Sequence, residues 1–265
     1  MMVERTVTVG GEELRVRIHG RADRPLLVYL PGIHGDWTLI PSYRKALEGQ
    51  VRFVEFTYPR SRKWRLKEYG EAIELALQNE GMTHGWILGE SFGSQVTWAL
   101  LERGWFRPDG IILAGGFVKY PIMPMVRMAK LLNRITPWSA WRGLTWAYAK
   151  YAAFRYRNAP ENLATLGEFL IRRTQDDLSA AAFRLDLILE SDPRHVAASV
   201  RCSVHFLAGF WDIIVPCRLS QGWLKQHVPT YKGSETVFGS DHTVLANAPA
   251  ESAQRTRRWM NLQPA

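Results

Sequence analysis

The 265-residue sequence has few of the features that mark membrane, secreted or disordered proteins. Its longest stretches without Asp, Glu, Lys or Arg are eleven residues long, at 25–35 and 91–101. A membrane-spanning helix needs about twenty apolar residues. The first residues, MMVERTVTVG, contain no apolar core of a signal peptide. The sequence therefore predicts no transmembrane segment and no secretory leader, and we expect a cytoplasmic protein.

Cysteine is also scarce, because Cys202 and Cys217 are the only two in the chain. Two cysteines cannot build a disulfide scaffold or a zinc site with four thiolate ligands. We interpret both as reduced thiols that pack in the interior of a cytoplasmic protein. The sequence predicts neither a metal site nor an organic cofactor.

Acidic residues are missing from one long segment. Residues 110–160 contain no Asp or Glu but eight Lys or Arg, and the whole chain has a net charge of +9. Such an excess is compatible with nucleic acid, an anionic membrane or an anionic substrate, and does not choose among them. No recognised nucleic-acid-binding motif accompanies the charge, so we predict no nucleic-acid partner.

Strand and helix patterns alternate along the first hundred residues. Polarity alternates on both sides of Gly10-Gly11, which indicates a hairpin. Apolar runs typical of buried strands then alternate with amphipathic helical patterns. The predicted strands are 26–30, 51–57, 86–88, 111–114, 204–207 and 236–238, and the predicted helices are 64–79 and 92–102. This order predicts an α/β fold with a mostly parallel central sheet and helices on both faces.

The alternation stops between residues 117 and 200, where we predict helices and no strand. An all-helical block between two strands of a parallel sheet is typical of a cap over the carboxyl edge of that sheet, where such sheets hold ligands. We therefore predict a core made of 1–116 and 201–265, with residues 117–200 inserted as a helical cap.

The segment Gly89-Glu90-Ser91-Phe92-Gly93 has the pattern G-x-S-x-G. An apolar strand pattern precedes it and a helical pattern follows, which is the setting of a nucleophile elbow. The turn is so sharp that only hydrogen fits at the flanking glycines, and the helix dipole favours a developing oxyanion beside the serine. Ser91 is therefore the candidate nucleophile.

A serine hydroxyl needs a base, and the base needs a carboxylate that orients it. Asp212 follows the strand at 204–207, and His242 follows the last strand, so both would reach the same sheet edge as Ser91. We prefer Asp212 to Asp241 because side chains adjacent in sequence usually diverge. The remaining histidines lack this position after the final strand, and we interpret them as surface or packing residues: His19, His84, His195, His205 and His227.

The segment after the first buried strand, Pro31-Gly32-Ile33-His34-Gly35-Asp36-Trp37, is the candidate oxyanion loop. We predict that the backbone N–H groups of Ile33 and Phe92 hold the oxyanion, and that His34 has a structural role in the turn. Loss of one such donor typically slows a reaction by about 10²–10³.

In this order and spacing, LPGIHGDW, GESFG, GFWDIIVP and SDH resemble the α/β-hydrolase superfamily, and in particular serine esterases with a helical cap. One departure is Pro31-Gly32, where many relatives have His-Gly. The resemblance implies hydrolysis of a small-molecule carboxylic ester or thioester, with an apolar acyl part, through an acyl-serine intermediate. No cofactor is implied. The serine disfavours a haloalkane dehalogenase or an epoxide hydrolase, which use aspartate as the nucleophile.

A triad of Ser91, His242 and Asp212 also supports other reactions, which the sequence leaves open. These are acyl transfer, perhydrolysis and cleavage of a carbon–carbon bond next to a carbonyl. A non-catalytic ligand-binding protein on this fold is less expected, because such proteins commonly lack a member of the triad. The sequence makes no prediction about the oligomeric state.

Residues 125–135 form the pattern of a basic amphipathic helix. Its apolar positions are Met125, Met128, Leu132 and Ile135, and its basic positions are Arg127, Lys130 and Arg134. We interpret the apolar face, together with the aromatic residues of 138–156, as packed on the core, and the basic face as solvated. Two functional alternatives are a cationic rim around an apolar acyl pocket and weak interfacial contact with lipid.

Overall fold

The computed structural model describes residues 2–262 of the chain. Its strands are β1 Met2–Val9, β2 Glu12–His19, β3 Leu26–Leu30, β4 Arg52–Thr57, β5 His84–Glu90, β6 Arg107–Ala114, β7 Ser203–Gly209 and β8 Tyr231–Val237. Its helices are α1 Pro41–Ala46, α2 Leu66–Asn79, α3 Gly93–Arg103, α4 Met123–Ile135, α5 Trp138–Arg155, α6 Pro160–Arg172, α7 Gln175–Glu190, α8 Arg194–Ser199, α9 Cys217–His227, α10 Val244–Asn247 and α11 Pro249–Trp259.

The strands form one eight-stranded sheet in the order β1-β2-β4-β3-β5-β6-β7-β8. β2 pairs antiparallel with β1 and with β4, and all other neighbours are parallel. The predicted α/β class and mostly parallel sheet are confirmed. Because β3, β5, β6, β7 and β8 run in the same direction, the loops after them meet at one carboxyl edge of the sheet.

Helices cover both faces of the sheet. All five residues of β3 are buried, and they alternate between two apolar clusters. Val28 belongs to a cluster that contains residues of α2 and α3, whereas Tyr29 belongs to a cluster that contains residues of α1 and α11. This explains why β3 is a continuous apolar run rather than an alternating one.

Five helices, α4 to α8, lie between β6 and β7. In this segment α4 packs on α7, and α5 packs on α6, which also contacts α1 of the core. No helix of the described residues is long and apolar enough to cross a bilayer.

Our interpretation of α4 is wrong in one respect. The apolar positions Met125, Met128, Leu132 and Ile135 are exposed rather than packed on the core. α4 buries one residue, Val126, because α7 covers it on one side only. The aromatic residues of α5 are also mixed, since Trp146, Tyr151 and Phe154 are exposed, whereas Tyr156, just beyond the helix, is buried.

Candidate active site

Ser91 lies in the turn that joins β5 to α3, and its backbone is strained. Its φ is 52°, in the left-handed region that a serine rarely adopts. A Cβ at Gly93 would lie 2.0 Å from the carbonyl oxygen of Leu30, and a Cβ at Gly89 would lie 2.5 Å from Oγ1 of Thr97. Both flanking glycines are therefore required by close approach, as the sequence pattern suggests.

Ser91, His242 and Asp212 lie together in one hydrogen-bonded chain. Nε2 of His242 is 2.9 Å from Oγ of Ser91, and Nδ1 of His242 is 2.8 Å from Oδ2 of Asp212. The three side chains come from the loops after β5, β8 and β7, so the carboxyl edge of the sheet brings them together. In this arrangement His242 can accept the proton of Ser91 while Asp212 fixes the orientation of the imidazole.

The Asp212 carboxylate is held by its own loop. Oδ1 accepts hydrogen bonds from the amides of Ile214 and Val215, at 3.0 and 2.9 Å. Burial alone would raise the pKa of Asp212, but the hydrogen bond and charge of His242 and the Val215 amide outweigh burial and lower it. Asp212 is therefore anionic at neutral pH.

One packing thiol has a more specific position than the sequence indicated. Sγ of Cys217 is 3.3 Å from Oδ2 of Asp212, the oxygen that also faces His242. Burial, followed by the charge of Asp212, raises the pKa of Cys217 far above its ordinary value. Cys217 is thus a neutral donor to the carboxylate. Burial likewise raises the pKa of Cys202, to about 11, so neither thiol is a reactive thiolate.

The pKa of His242 is shifted in the opposite sense from that expected for a buried histidine. Burial alone would lower it, but the hydrogen bond and charge of Asp212 raise it above its ordinary value. Glu90 and Asp241 contribute further negative charge in the same direction. The carboxylates around the imidazole therefore stabilise its protonated form.

Two glycines that the sequence analysis did not single out shape this pocket. A Cβ at Gly115, whose φ is 54°, would lie 3.1 Å from Nδ1 of His242 and 3.2 Å from Oδ2 of Asp212. A Cβ at Gly209 would lie 1.9 Å from the carbonyl oxygen of Asp241. The Gly115-Gly116 pair that ends the β6 pattern was the available signal, but its role emerges only when the loops are seen together.

The competing residues have other partners. Asp241 accepts hydrogen bonds from the amide and hydroxyl of Thr243, both at 2.9 Å, and from Tyr151 of α5 at 2.9 Å. His19, His84 and His195 pair with Glu55, Asp109 and Glu102. His205 stacks on Trp86 and Trp259, and His227 bonds to the carbonyl of Trp223. None of these histidines contacts Ser91 within the described residues.

The candidate oxyanion loop, residues 31–37, lies directly beside Ser91. A Cβ at Gly32 would be 3.4 Å from Cβ of Ser91, so the backbone of this loop approaches Ser91 closely. The amides of Ile33 and Phe92 have no hydrogen-bond partner within residues 2–262. Two unpaired amides on either side of a serine are suited to binding a developing oxyanion. Nε2 of His34 is also buried without a partner there.

Two arginines, one on α7 and one directly after α6, hold this loop, and neither was predicted from the sequence. Arg184 of α7 is 1% exposed and donates to the carbonyl oxygens of Ile33 (2.8 Å) and Pro59 (3.1 Å). Arg173, which follows α6, donates to the carbonyl of His34 (3.3 Å) and pairs with the carboxylate of Asp36. We call Arg173 and Arg184 the arginine clamp.

Gly35 shows how tightly the clamp fits. Its φ is 75°, and a Cβ there would lie 2.6 Å from Nη1 of Arg184. Only glycine therefore fits between the loop and the guanidinium. In the sequence, Arg184 is one of 34 basic residues with no distinguishing pattern, so its burial could not be predicted. Among the described residues, no cluster of His, Cys, Asp or Glu is suited to hold a metal ion.

No protein-family model matches the chain, and no curated protein matches its sequence. Solved structures are similar to it over nearly their whole length. A thermophilic esterase from Thermogutta terrifontis has a TM-score of 0.73 and 17% identity, with 98% of each chain covered. An esterase from a Rhodococcus species has a TM-score of 0.74 and 16% identity, also with 98% of each chain covered.

An enol-lactonase from Burkholderia xenovorans has a TM-score of 0.75 and 16% identity, covering 97% of this chain and 100% of the other. Another similar structure, from a deep-sea metagenome library, is described as an α/β hydrolase and has a TM-score of 0.78 at 11% identity. At these identities the similarity concerns the fold. Together with the sheet order and the strained serine turn, it assigns this chain to the α/β-hydrolase fold that its sequence motifs resemble.

Proposed function

We propose that this protein is a serine hydrolase that cleaves a carboxylic ester or thioester of a small molecule. The observation that carries the proposal is the relay from Ser91 through His242 to Asp212, with hydrogen bonds of 2.9 and 2.8 Å. Such a relay activates a serine only when the imidazole bonds to both the hydroxyl and the carboxylate. Both distances lie in the range of good hydrogen bonds. The names of the similar proteins, two esterases and an enol-lactonase, support the same class of reaction.

In the proposed mechanism, Nε2 of His242 removes the proton of Ser91 as Oγ attacks the acyl carbonyl carbon. The amides of Ile33 and Phe92 donate hydrogen bonds to the oxyanion of the tetrahedral intermediate. His242 then gives its proton to the leaving alcohol or thiol, which leaves an acyl-Ser91 ester. Water, deprotonated by His242, attacks this ester, and His242 returns the proton to Oγ of Ser91 as the acid leaves. Asp212 stabilises the imidazolium that forms in each half-reaction.

The test is turnover of p-nitrophenyl acetate and p-nitrophenyl butyrate by the wild type and by Ser91→Ala. We expect the variant to lose about 10⁶-fold in kcat and to keep only the residual rate that the oxyanion hole and substrate binding provide. Ser139→Ala, at an exposed serine of α5, is the matched control and should retain full activity. Equal rates for the wild type and Ser91→Ala would reject the proposal.

A fluorophosphonate probe separates catalysis from a purely binding role. It should label the folded wild type and Ser139→Ala but not Ser91→Ala, because labelling needs a hydroxyl activated by His242. Product analysis with an added alcohol then distinguishes hydrolysis from acyl transfer. A folded wild-type protein without label would contradict the activated serine.

A further inference from the structure

Exposed apolar side chains are concentrated on α4 and α5. Nine large ones are solvent-exposed there: Met125, Met128, Leu131, Leu132, Ile135, Leu144, Trp146, Tyr151 and Phe154. α4 buries one residue and α5 buries two. We call these nine side chains the α4–α5 surface. Two consecutive helices with nine exposed large apolar side chains are typical of an interaction site rather than of ordinary surface.

Further apolar side chains are exposed in the loops that carry the catalytic candidates. Phe210, Trp211 and Ile213 surround Asp212 in sequence, and Phe238 precedes His242 by four residues. The ring of Phe210 lies 4.9 Å from that of Trp211 and 5.1 Å from that of Phe238. These exposed rings form one cluster beside the candidate active site.

Hydrogen bonds tie α5 to the loop that carries His242. Tyr151 of α5 donates to the Asp241 carboxylate at 2.9 Å, and Arg155 donates to the carbonyl of Gly239. α5 is therefore fixed directly against the loop that holds His242. A partner that covers this end of α5 also lies next to the site.

The charges of these helices select the kind of partner. Arg127, Arg134 and Arg142 are exposed, and within the described residues they have no acidic partner, whereas Lys130 pairs with Asp186. Residues 110–160 contain no acid at all. Two copies facing each other through this surface would bring like charges together, which disfavours self-association. Apolar side chains flanked by unpaired arginines suit an anionic lipid surface, and Trp and Tyr are favoured at its boundary with water.

We propose that the α4–α5 surface docks the protein on an anionic lipid membrane, with the candidate active site facing the lipid. The apolar side chains enter the headgroup region, and Arg127, Arg134 and Arg142 bind lipid phosphates. Docking requires no chemistry at Ser91, so this inference goes beyond the proposed hydrolase function and stands or falls independently of it.

The experiment is co-sedimentation of the full-length protein with vesicles of phosphatidylcholine, alone or mixed with phosphatidylglycerol. We expect binding to the mixed vesicles at low salt and much weaker binding to phosphatidylcholine alone. Replacing Arg127, Arg134 and Arg142 together by Gln should lower the partition coefficient on the order of a hundredfold, since each basic residue contributes roughly fivefold.

The matched control removes three arginines at the opposite edge of the sheet. Arg24 and Arg201 precede β3 and β7, Arg107 begins β6, and all three are exposed without an acidic partner within the described residues. Replacing them by Gln lowers the net charge equally but leaves the α4–α5 surface intact, so binding should be nearly retained. Equal loss in both triple variants would mean non-specific attraction by net charge, and would overturn the proposal.

A second variant tests the apolar contribution. Leu131→Ser, Leu132→Ser and Leu144→Ser, made together, should weaken vesicle binding without lowering the melting temperature, because all three side chains are exposed. Sedimentation velocity without lipid tests whether the α4–α5 surface instead forms a dimer. No binding to anionic vesicles, or a stable dimer that the Leu→Ser variant dissociates, would overturn the proposal. Ser91→Ala should bind vesicles like the wild type, whatever its activity.

Discussion

Helices α3 and α4 show how differently two parts of this molecule are built. α3 follows Ser91 and buries eight of its eleven residues, whereas α4 has thirteen residues and buries one. The start of α3 is fixed by contacts that leave no room for a Cβ at Gly93. On α4, large apolar side chains remain in water. We infer that the sheet and α3 fix the backbone around Ser91, whereas the exposed apolar side chains of α4 and α5 are available for contact with another molecule.

After Ser91→Ala, the largest effect on activity is expected for Asp212→Asn. It removes the charge that orients His242 and stabilises its protonated form, so kcat should fall by about 10⁴-fold. Steady-state kinetics with p-nitrophenyl butyrate measure this loss. Asp241→Asn is the comparison variant and should lose less activity, because Asp241 adds negative charge near His242 but bonds to Thr243 and Tyr151 rather than to the imidazole. A larger loss in Asp241→Asn than in Asp212→Asn would mean that Asp241, and not Asp212, is the carboxylate that orients His242.

The pH dependence of the same enzymes provides an independent measurement. In the proposed mechanism His242 acts as a base only when neutral, and Asp212 raises its pKa above the ordinary value. Activity should therefore increase with pH, and kcat/KM should show an acidic limb with an apparent pKa above about 6.5. In Asp212→Asn the charge that favours protonation is gone, so the limb should move to lower pH. A limb that stays in place would mean that another group controls it.

The next largest effect is expected at the arginine clamp, where α7 and the end of α6 meet the loop after β3. Arg184→Met removes the donors to the carbonyls of Ile33 and Pro59, so the loop that carries the Ile33 amide loses its support. We expect kcat to fall by about 10²-fold, as for misplacement by about an ångström, with a smaller change in KM. Arg184 is a positioning residue here, since it acts through the loop.

The control for the clamp is another contact between the core and the inserted helices. Arg65 pairs with Glu190 of α7 at 2.9 Å, but both side chains are exposed. Arg65→Gln should leave kcat unchanged and cost under about 1 kcal/mol of stability. Arg184→Lys should restore part of kcat by keeping a charged donor. If Arg184→Met loses melting temperature but keeps kcat, the clamp only stabilises the fold.

Features that depend on residues close in sequence could be predicted from the sequence, whereas features that depend on distant segments could not. Apolar runs such as 26–30 are sufficient for β3 because a strand buried on both faces leaves no polar positions. The contact that requires Gly93 comes from Leu30 of β3, but Gly89 of G-x-S-x-G could be understood locally, since a Cβ there would meet Thr97 of the following helix. Arg184, Gly115 and Gly209 could not, because their constraints come from segments distant in sequence.

The wrong prediction for α4 has a related cause. An amphipathic pattern shows that a helix has an apolar face, but it does not show what covers that face. We assumed the core, whereas the structure leaves Met128 and Ile135 exposed. The periodicity was therefore sufficient to predict the helix but not its packing.

The free energy of unfolding provides a direct test of the difference in burial between α3 and α4. Leu100 of α3 is fully buried, and Leu131 of α4 is 52% exposed. Leu100→Ala should lower the free energy of unfolding by about 2–5 kcal/mol, because it loses apolar burial and leaves a cavity. Leu131→Ala should change it by less than about 0.5 kcal/mol. Urea unfolding measures both. A large loss for Leu131→Ala would show that this side chain packs against the rest of the protein more closely than its 52% exposure indicates.

The smallest effect is expected from the exposed charges of α4 and α5 on soluble substrates without lipid. Arg127, Arg134 and Arg142 attract an anionic ester over distance, so replacing them together by Gln should lower its kcat/KM a few-fold. The loss should shrink with salt, because the Debye length falls from about 30 Å at 0.01 M to about 8 Å at 0.15 M. A neutral ester of similar size should be unaffected. Equal losses for both esters would indicate damage to the helices, and no loss for either would restrict the role of these arginines to lipid.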